Sequence, residues 1–129
     1  DGYTPLIIAS SGNNNGIDVA KLLLEKNAGI RLVDKYKRNA LYYAALSGKA
    51  DFVRMLLDRG VNINGQDAEG MTPLIAAAGA GHRGVVELLI SRTANISIKS
   101  KHGDAIGWAT AQRRLDVVKT IRDAMQPTI

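Results

Sequence analysis

The chain has no cysteine in its 129 residues, which excludes disulfides, thiolate metal centres and a cysteine nucleophile. Aromatic side chains are scarce as well, at 5%. Alanine, leucine, isoleucine and glycine are abundant instead, a balance that suits closely stacked helices better than an aromatic-filled sandwich. No stretch approaches the roughly 18 consecutive apolar residues of a spanning helix, and no basic, apolar, small-residue series at the start reads as a signal peptide. The chain also opens on Asp1 rather than methionine. It is therefore read as a processed product or an excised piece, with a cytoplasmic compartment as the default and a periplasmic or secreted one left open. With two histidines and no clustered acids at ligand spacing, no metal site and no catalytic residue can be placed, and no cofactor is expected.

What is present is a hydrophobic content of 46% in a length that suits one domain, residues 1–129, together with a net charge of +5. The positive charge biases encounters toward acidic partners. Self-similarity organises the rest. Setting "MTPLIAAAGAGHRGVVELLISRTANI" (71–96) beneath "RNALYYAALSGKADFVRMLLDRGVNI" (38–63) aligns Leu74 with Leu41, Ala77-Ala78 with Ala44-Ala45 and Gly81 with Gly48, a shift of 33 residues. Residues 3–30 fit with two residues inserted in "GNNNG" (12–16), and residues 103–125 fit with one deleted before Asp104. Four copies result, at about 1–33, 34–66, 67–99 and 100–129.

The copies carry their own helix punctuation. Thr72 is a good N-cap before Pro73, and Asn39 and Asp104 serve the same role in their copies. Gly48 and Gly81 suit a tight reversal between a short first helix and a second helix running back. Gly60 and Asn27 suit the end of the second helix, whereas Thr93 predicts a weaker end there. Residues 79–84, "GAGHRG", match G-x-G-x-x-G literally, but a dinucleotide loop also needs a parallel βαβ unit and an acidic residue about 20 positions on; Lys99 and Ser100 stand there. Gly81 is read as the helix turn, and Gly79 and Gly84 as glycines the repeat does not require.

With Thr4-Pro5-Leu6 and Thr72-Pro73-Leu74, each followed by alanine at Ala9 and Ala77, the copies resemble the ankyrin repeat. The signature's histidine position holds Ile7, Tyr42, Ile75 and Gly107. The resemblance implies an all-α solenoid of stacked helix-turn-helix repeats joined by β-hairpin-like loops. It further implies a non-catalytic protein-interaction module that holds a folded partner through hairpin tips and a concave inner-helix face, as an inhibitor or a scaffold. The partner-binding residues implied are Tyr3, Lys35, Tyr36, Lys37, Arg38, Ala68, Glu69, Met71, Lys101 and His102 at the tips. On the inner helices they are Leu46, Ser47, Gly79, Ala80 and Gln112. Lys37 replaces the glycine found at Gly2, Gly70 and Gly103, so "DKYKRN" (34–39) reads either as a basic, aromatic binding tip or as a solvated turn.

Other marks have plainer readings. The resemblance gives His82 a structural role, His102 reads as a solvated tip residue, and Trp108 reads as core. Asn95-Ile96-Ser97 is a formal glycosylation sequon. Thr120 and Arg122, where the first copy has Leu22 and Leu24, fit a C-terminal cap; the first copy stays apolar and incomplete at its start. The chain is expected to be a monomer or to associate weakly through that uncapped N-terminal face. The partner expected is a protein, with acidic ones favoured by charge. A basic nucleic-acid-associated domain is the alternative, and an adaptor within a longer protein the second.

Overall fold

A computed structural model of the protein describes Leu22 and residues 32–125. Apart from Leu22 and residues 32–33, the expected first repeat, with Tyr3, the loop at 12–16, Asn27 and the uncapped face, lies outside the described residues. Six helices follow: α1 Ala40–Leu46, α2 Ala50–Asp58, α3 Pro73–Ala80, α4 Arg83–Ser91, α5 Ala105–Ala111 and α6 Leu115–Met125. They pair as helix-turn-helix units, with α1, α3 and α5 packed in one inner row and α2, α4 and α6 in an outer row. Among the described residues the only β-type pairing is an isolated bridge between Ser100 and Gly103. The fold is an all-α repeat solenoid.

Each inner helix starts where a short polar side chain can satisfy its first free amide. Asn39 Oδ1 accepts from the Tyr42 amide at 2.9 Å, Thr72 Oγ1 from Ile75 at 3.2 Å and Asp104 Oδ1 from Gly107 at 2.8 Å. The α3 helix ends on Gly81 in the left-handed conformation, φ 81°. Arg113, at the corresponding place after α5, adopts φ 59° without being glycine. At Thr93, where the sequence predicts a weaker helix end, α4 closes after nine residues, the length of α2. Thr93 reaches φ 67°, and its amide bonds the Ile90 carbonyl at 3.0 Å.

Leu41, Val53, Leu56, Leu74, Leu89 and Ile121 fill the interior between the rows. Between inner helices the facing residues are small: Ala44, Ala45, Ala77, Ala78 and Ala109 are all fully buried. Polar ties then cross from unit to unit. His82 Nε2 lies 3.0 Å from the Leu46 carbonyl, and since a carbonyl only accepts, that nitrogen carries the proton. Arg114 Nε donates to the Gly79 carbonyl at 3.1 Å, and the Asn95 amide donates to Asn64 Oδ1 at 2.9 Å. On the last helix Thr120 returns its hydroxyl to the Asp116 carbonyl, and Arg122 is exposed.

Gly79 is a correction, because the fold does require it. A Cβ there would sit 2.1 Å from Trp108 Nε1, so the α5 indole rests on bare α3 backbone. At Gly84 an added Cβ meets open space. Gly79→Ala is therefore expected to lower stability by about 1–3 kcal/mol through overpacking. Gly84→Ala is expected to raise it by up to about 1 kcal/mol through helix propensity. Urea unfolding followed by circular dichroism measures both; equal and opposite signs to these would refute the packing argument.

Candidate functional site

Three loop tips precede the inner helices and share one construction. A short polar residue opens each tip and accepts from the amides beyond it. Asp34 Oδ1 takes the Tyr36 and Arg38 amides at 2.9 and 3.0 Å, and Asp67 Oδ1 takes those of Glu69 and Met71, both at 2.9 Å. Ser100 Oγ takes the His102 amide at 3.0 Å. The backbone closes Asp34 onto Arg38 and Asp67 onto Met71, but Ser100 onto Gly103, which locates the single deletion before Asp104. Neighbouring tips are joined through the main chain as well: the Ala68 amide donates to the Tyr36 carbonyl at 2.9 Å and the Lys101 amide to the Glu69 carbonyl at 2.8 Å. The tips therefore form one ledge.

Lys35, Tyr36, Lys37, Ala68, Glu69, Lys101 and His102 are exposed along this ledge. Lys37 holds φ 63°, where the next two tips have Gly70 at 80° and Gly103 at 101°. The Tyr36 ring is flanked by Lys35 Nζ and Arg38 Cζ, each 5.1 Å from its centroid. Arg38 is less a surface group than expected. It is a partly buried strut, with Nε 3.1 Å from Asp67 Oδ2 and its guanidinium 4.8 Å from the Tyr42 ring. Partial burial opposes its charge, yet the hydrogen bond to Asp67 holds its pKa above the ordinary value. Met71 needs correcting: at 6% exposure it belongs to the core and adds nothing to the surface.

On the inner helices, residues three and four apart share a face, so Tyr43 and Leu46 on α1 with its C-cap Ser47 line up with Ala76, Gly79 and Ala80 on α3, and with Trp108 and Ala111 on α5 with its C-cap Gln112. Leu46, Ser47, Ala111 and Gln112 are exposed and Ala80 is half-buried. Gly79 is another correction, buried under Trp108. Tyr43 and Trp108 extend the sequence-derived set: Tyr43 donates its hydroxyl to Asp34 Oδ2, and Trp108 lies 5.0 Å, centroid to centroid, from the His102 ring. Both tie the helix stripe to the tips. The helical spacing from Leu46 and Gln112 was the signal that could have found them. His102 is more than solvated, with Nε2 3.1 Å from Glu69 Oε2 on the preceding tip.

Burial alone would raise the Asp34 pKa, but the Tyr43 hydroxyl, the Arg38 and Tyr36 amides and the Arg38 charge outweigh it and hold the carboxyl below the usual aspartate value. Among the described residues no group of three or more His, Asp or Glu could hold a metal ion, and no helix is long and apolar enough to cross a membrane.

A family model described as ankyrin repeats (3 copies) matches residues 1–67, and a second, ankyrin repeats (many copies), matches residues 47–90. No curated protein matches the chain.

A carboxyl whose folded pKa is depressed stabilises the protein above its unfolded pKa, and loses that contribution as pH falls through the folded value. Asp34→Ala is accordingly expected to cost about 1–3 kcal/mol at pH 7. Its deficit relative to the parent should shrink as pH drops below about 4. Urea midpoints measured across an acid pH series test this, and a pH-independent deficit would contradict it.

Proposed function

The chain belongs to the ankyrin-repeat family, whose members are generally protein–protein interaction modules and typically non-catalytic, and from that premise we propose that it holds a folded protein partner on the tip ledge and the adjoining inner-helix stripe. The observation that carries this reading is the main-chain stitching of the tips. Loops whose amides are satisfied within and between units keep their shape before a partner arrives, so little ordering entropy is lost on binding. Exposed Tyr36 and Leu46 and half-buried Trp108 supply anchors of the kind that dominate interfaces. Catalysis is not needed for such a role; inhibition or scaffolding would follow from what the bound partner does.

The test compares two charge-matched variants as baits in a lysate of the source organism. Lys35→Glu and Lys37→Glu with Tyr36→Ala alters the ledge and spares the Arg38 strut. Lys119→Glu with Arg122→Glu alters the outer helix α6. Proteins held by the parent and the α6 variant should be lost from the ledge variant, by tenfold or more in recovery, which corresponds to about 1.4 kcal/mol. Identical captured sets for both variants would remove this surface from the proposal. Lys37→Gly provides a further separation: it relieves about 1–2 kcal/mol of left-handed strain, partly offset by the entropy of glycine, so it should raise the melting temperature while weakening capture.

A further inference from the structure

The exposed acids of the described residues are sorted by face. Every exposed carboxylate except Glu69 lies on the outer helices: Asp51 and Asp58 on α2, Glu87 on α4, Asp116 and Asp123 on α6. Three of these are paired with arginines, Asp51 with Arg54 at 3.0 Å, Glu87 with Arg83 at 2.8 Å and Asp58 with Arg92 at 2.8 Å. Near the ledge exposed acids are scarce. Asp34 and Asp67 are buried inside their turns, and Asp104 is occupied capping α5. Lys35, Lys37 and Lys101 stand out along the tips, and Arg113 closes the far end of the stripe after Gln112. Lys37 and Lys101 meet no carboxylate among the described residues, and the lone exposed acid, Glu69, is already engaged by His102.

Between these two cationic borders the floor is apolar and almost without side-chain relief. Leu46 is 39% exposed, Ala80 is half-buried, Ala111 is exposed, and the Trp108 indole lies on the Gly79 backbone. The indole N–H finds no acceptor among the described residues. A donor with no partner, on a surface whose tips carry Lys37 and Lys101, favours an oxygen-rich, negatively charged occupant, and the aromatic face of the same indole favours an apolar side chain. Stacking surfaces for a run of nucleobases are absent along the floor of α3, where only alanine and glycine occur, so a polynucleotide would gain charge contacts without base platforms there.

We propose that the partner element is an acidic peptide segment carrying an apolar side chain, which packs on Trp108 while its carboxylates answer Lys37, Lys101 and Arg113. This rests on the reading of the ledge and stripe as the binding surface. Electrostatic complementarity of this kind fixes register and speeds encounter, and the apolar anchor supplies the residence time.

Trp108 is the only tryptophan, so its emission reports the site directly. The probes are three synthetic peptides of equal length: glutamates around one phenylalanine, the same peptide with glycine for phenylalanine, and lysines around one phenylalanine. A single-stranded oligonucleotide of matching charge is the fourth. The Glu-Phe peptide is expected to shift Trp108 emission saturably, at least about tenfold tighter than the Glu-Gly peptide, in line with burial of one large apolar side chain. Lys37→Glu with Lys101→Glu should weaken it by about tenfold or more, whereas Lys119→Glu with Arg122→Glu, which changes net charge equally, should leave it within about twofold. No saturable shift, equal binding of the Lys-Phe peptide, equal effects of the two charge variants, or tighter binding of the oligonucleotide would each overturn the proposal. If the peptide fails while lysate capture still depends on the ledge, the acidic segment alone is refuted; if both fail, the binding surface falls with it.

Discussion

Close stacking of the alanine-lined inner helices sets the geometry on which everything else depends. Ala44 and Ala45, Ala77 and Ala78, and Ala109 are sealed from solvent, and packed helices carrying small contact residues approach toward the near end of the usual interaxial range of about 8–10 Å. That spacing is inherited by the loops before the helices. Only at such a distance can the amide of one tip reach the carbonyl of the tip before it, as Ala68 reaches Tyr36 and Lys101 reaches Glu69. A larger side chain in the alanine layer would push the units apart and unfasten the ledge without touching it.

The stack is held at its other end by side chains. His82 and Arg114 occupy equivalent turn positions, and each reaches back to a carbonyl at the end of the preceding inner helix, Leu46 and Gly79. Those carbonyls have no helical partner of their own, so one bond both satisfies a helix end and couples two units. No buried side-chain polar atom is left unsatisfied among the described residues. The result is a surface whose parts are fixed relative to one another, which lowers the ordering cost of any interface built on it.

The repeat, the inner-helix caps and the turn at Gly81 were legible because each depends on local chemistry: a capping oxygen, a proline, a glycine able to adopt positive φ. How Thr93 ends α4 was not legible, because its left-handed backbone is held by hydrogen bonds from its amide and hydroxyl. The need for glycine at 79 was not legible for a different reason. The clash that fixes glycine at 79 comes from an indole 29 positions later, and nothing near either residue announces the other. Met71 looked like a tip residue because it follows Gly70, yet the Asp67 turn draws its amide inward and its side chain with it. Exposure at a loop depends on where the turn points, which the linear pattern does not record.

Lys37 brings these levels together. Among the described residues three that are not glycine adopt left-handed backbone, Lys37, Thr93 and Arg113, each at a cost of about 1–2 kcal/mol relative to an unstrained conformation. Sister positions in the same chain show that glycine fits the Lys37 place, since Gly70 and Gly103 hold it in the next two tips. The Lys37 side chain is exposed, on the rim of a pocket that Tyr42, Val61 and Gln66 also line. What the substitution does provide is an ammonium group at the edge of a stripe from which exposed acids other than Glu69 have been kept away. Thr93 closes a helix end through its amide and hydroxyl, and the Lys37 amide closes its turn on the Asp34 carbonyl at 2.9 Å; Gly70 and Gly103 make the same backbone bond to Asp67 and Ser100, so what lysine adds over glycine is the ammonium group itself, the group that the proposed acidic occupant would meet.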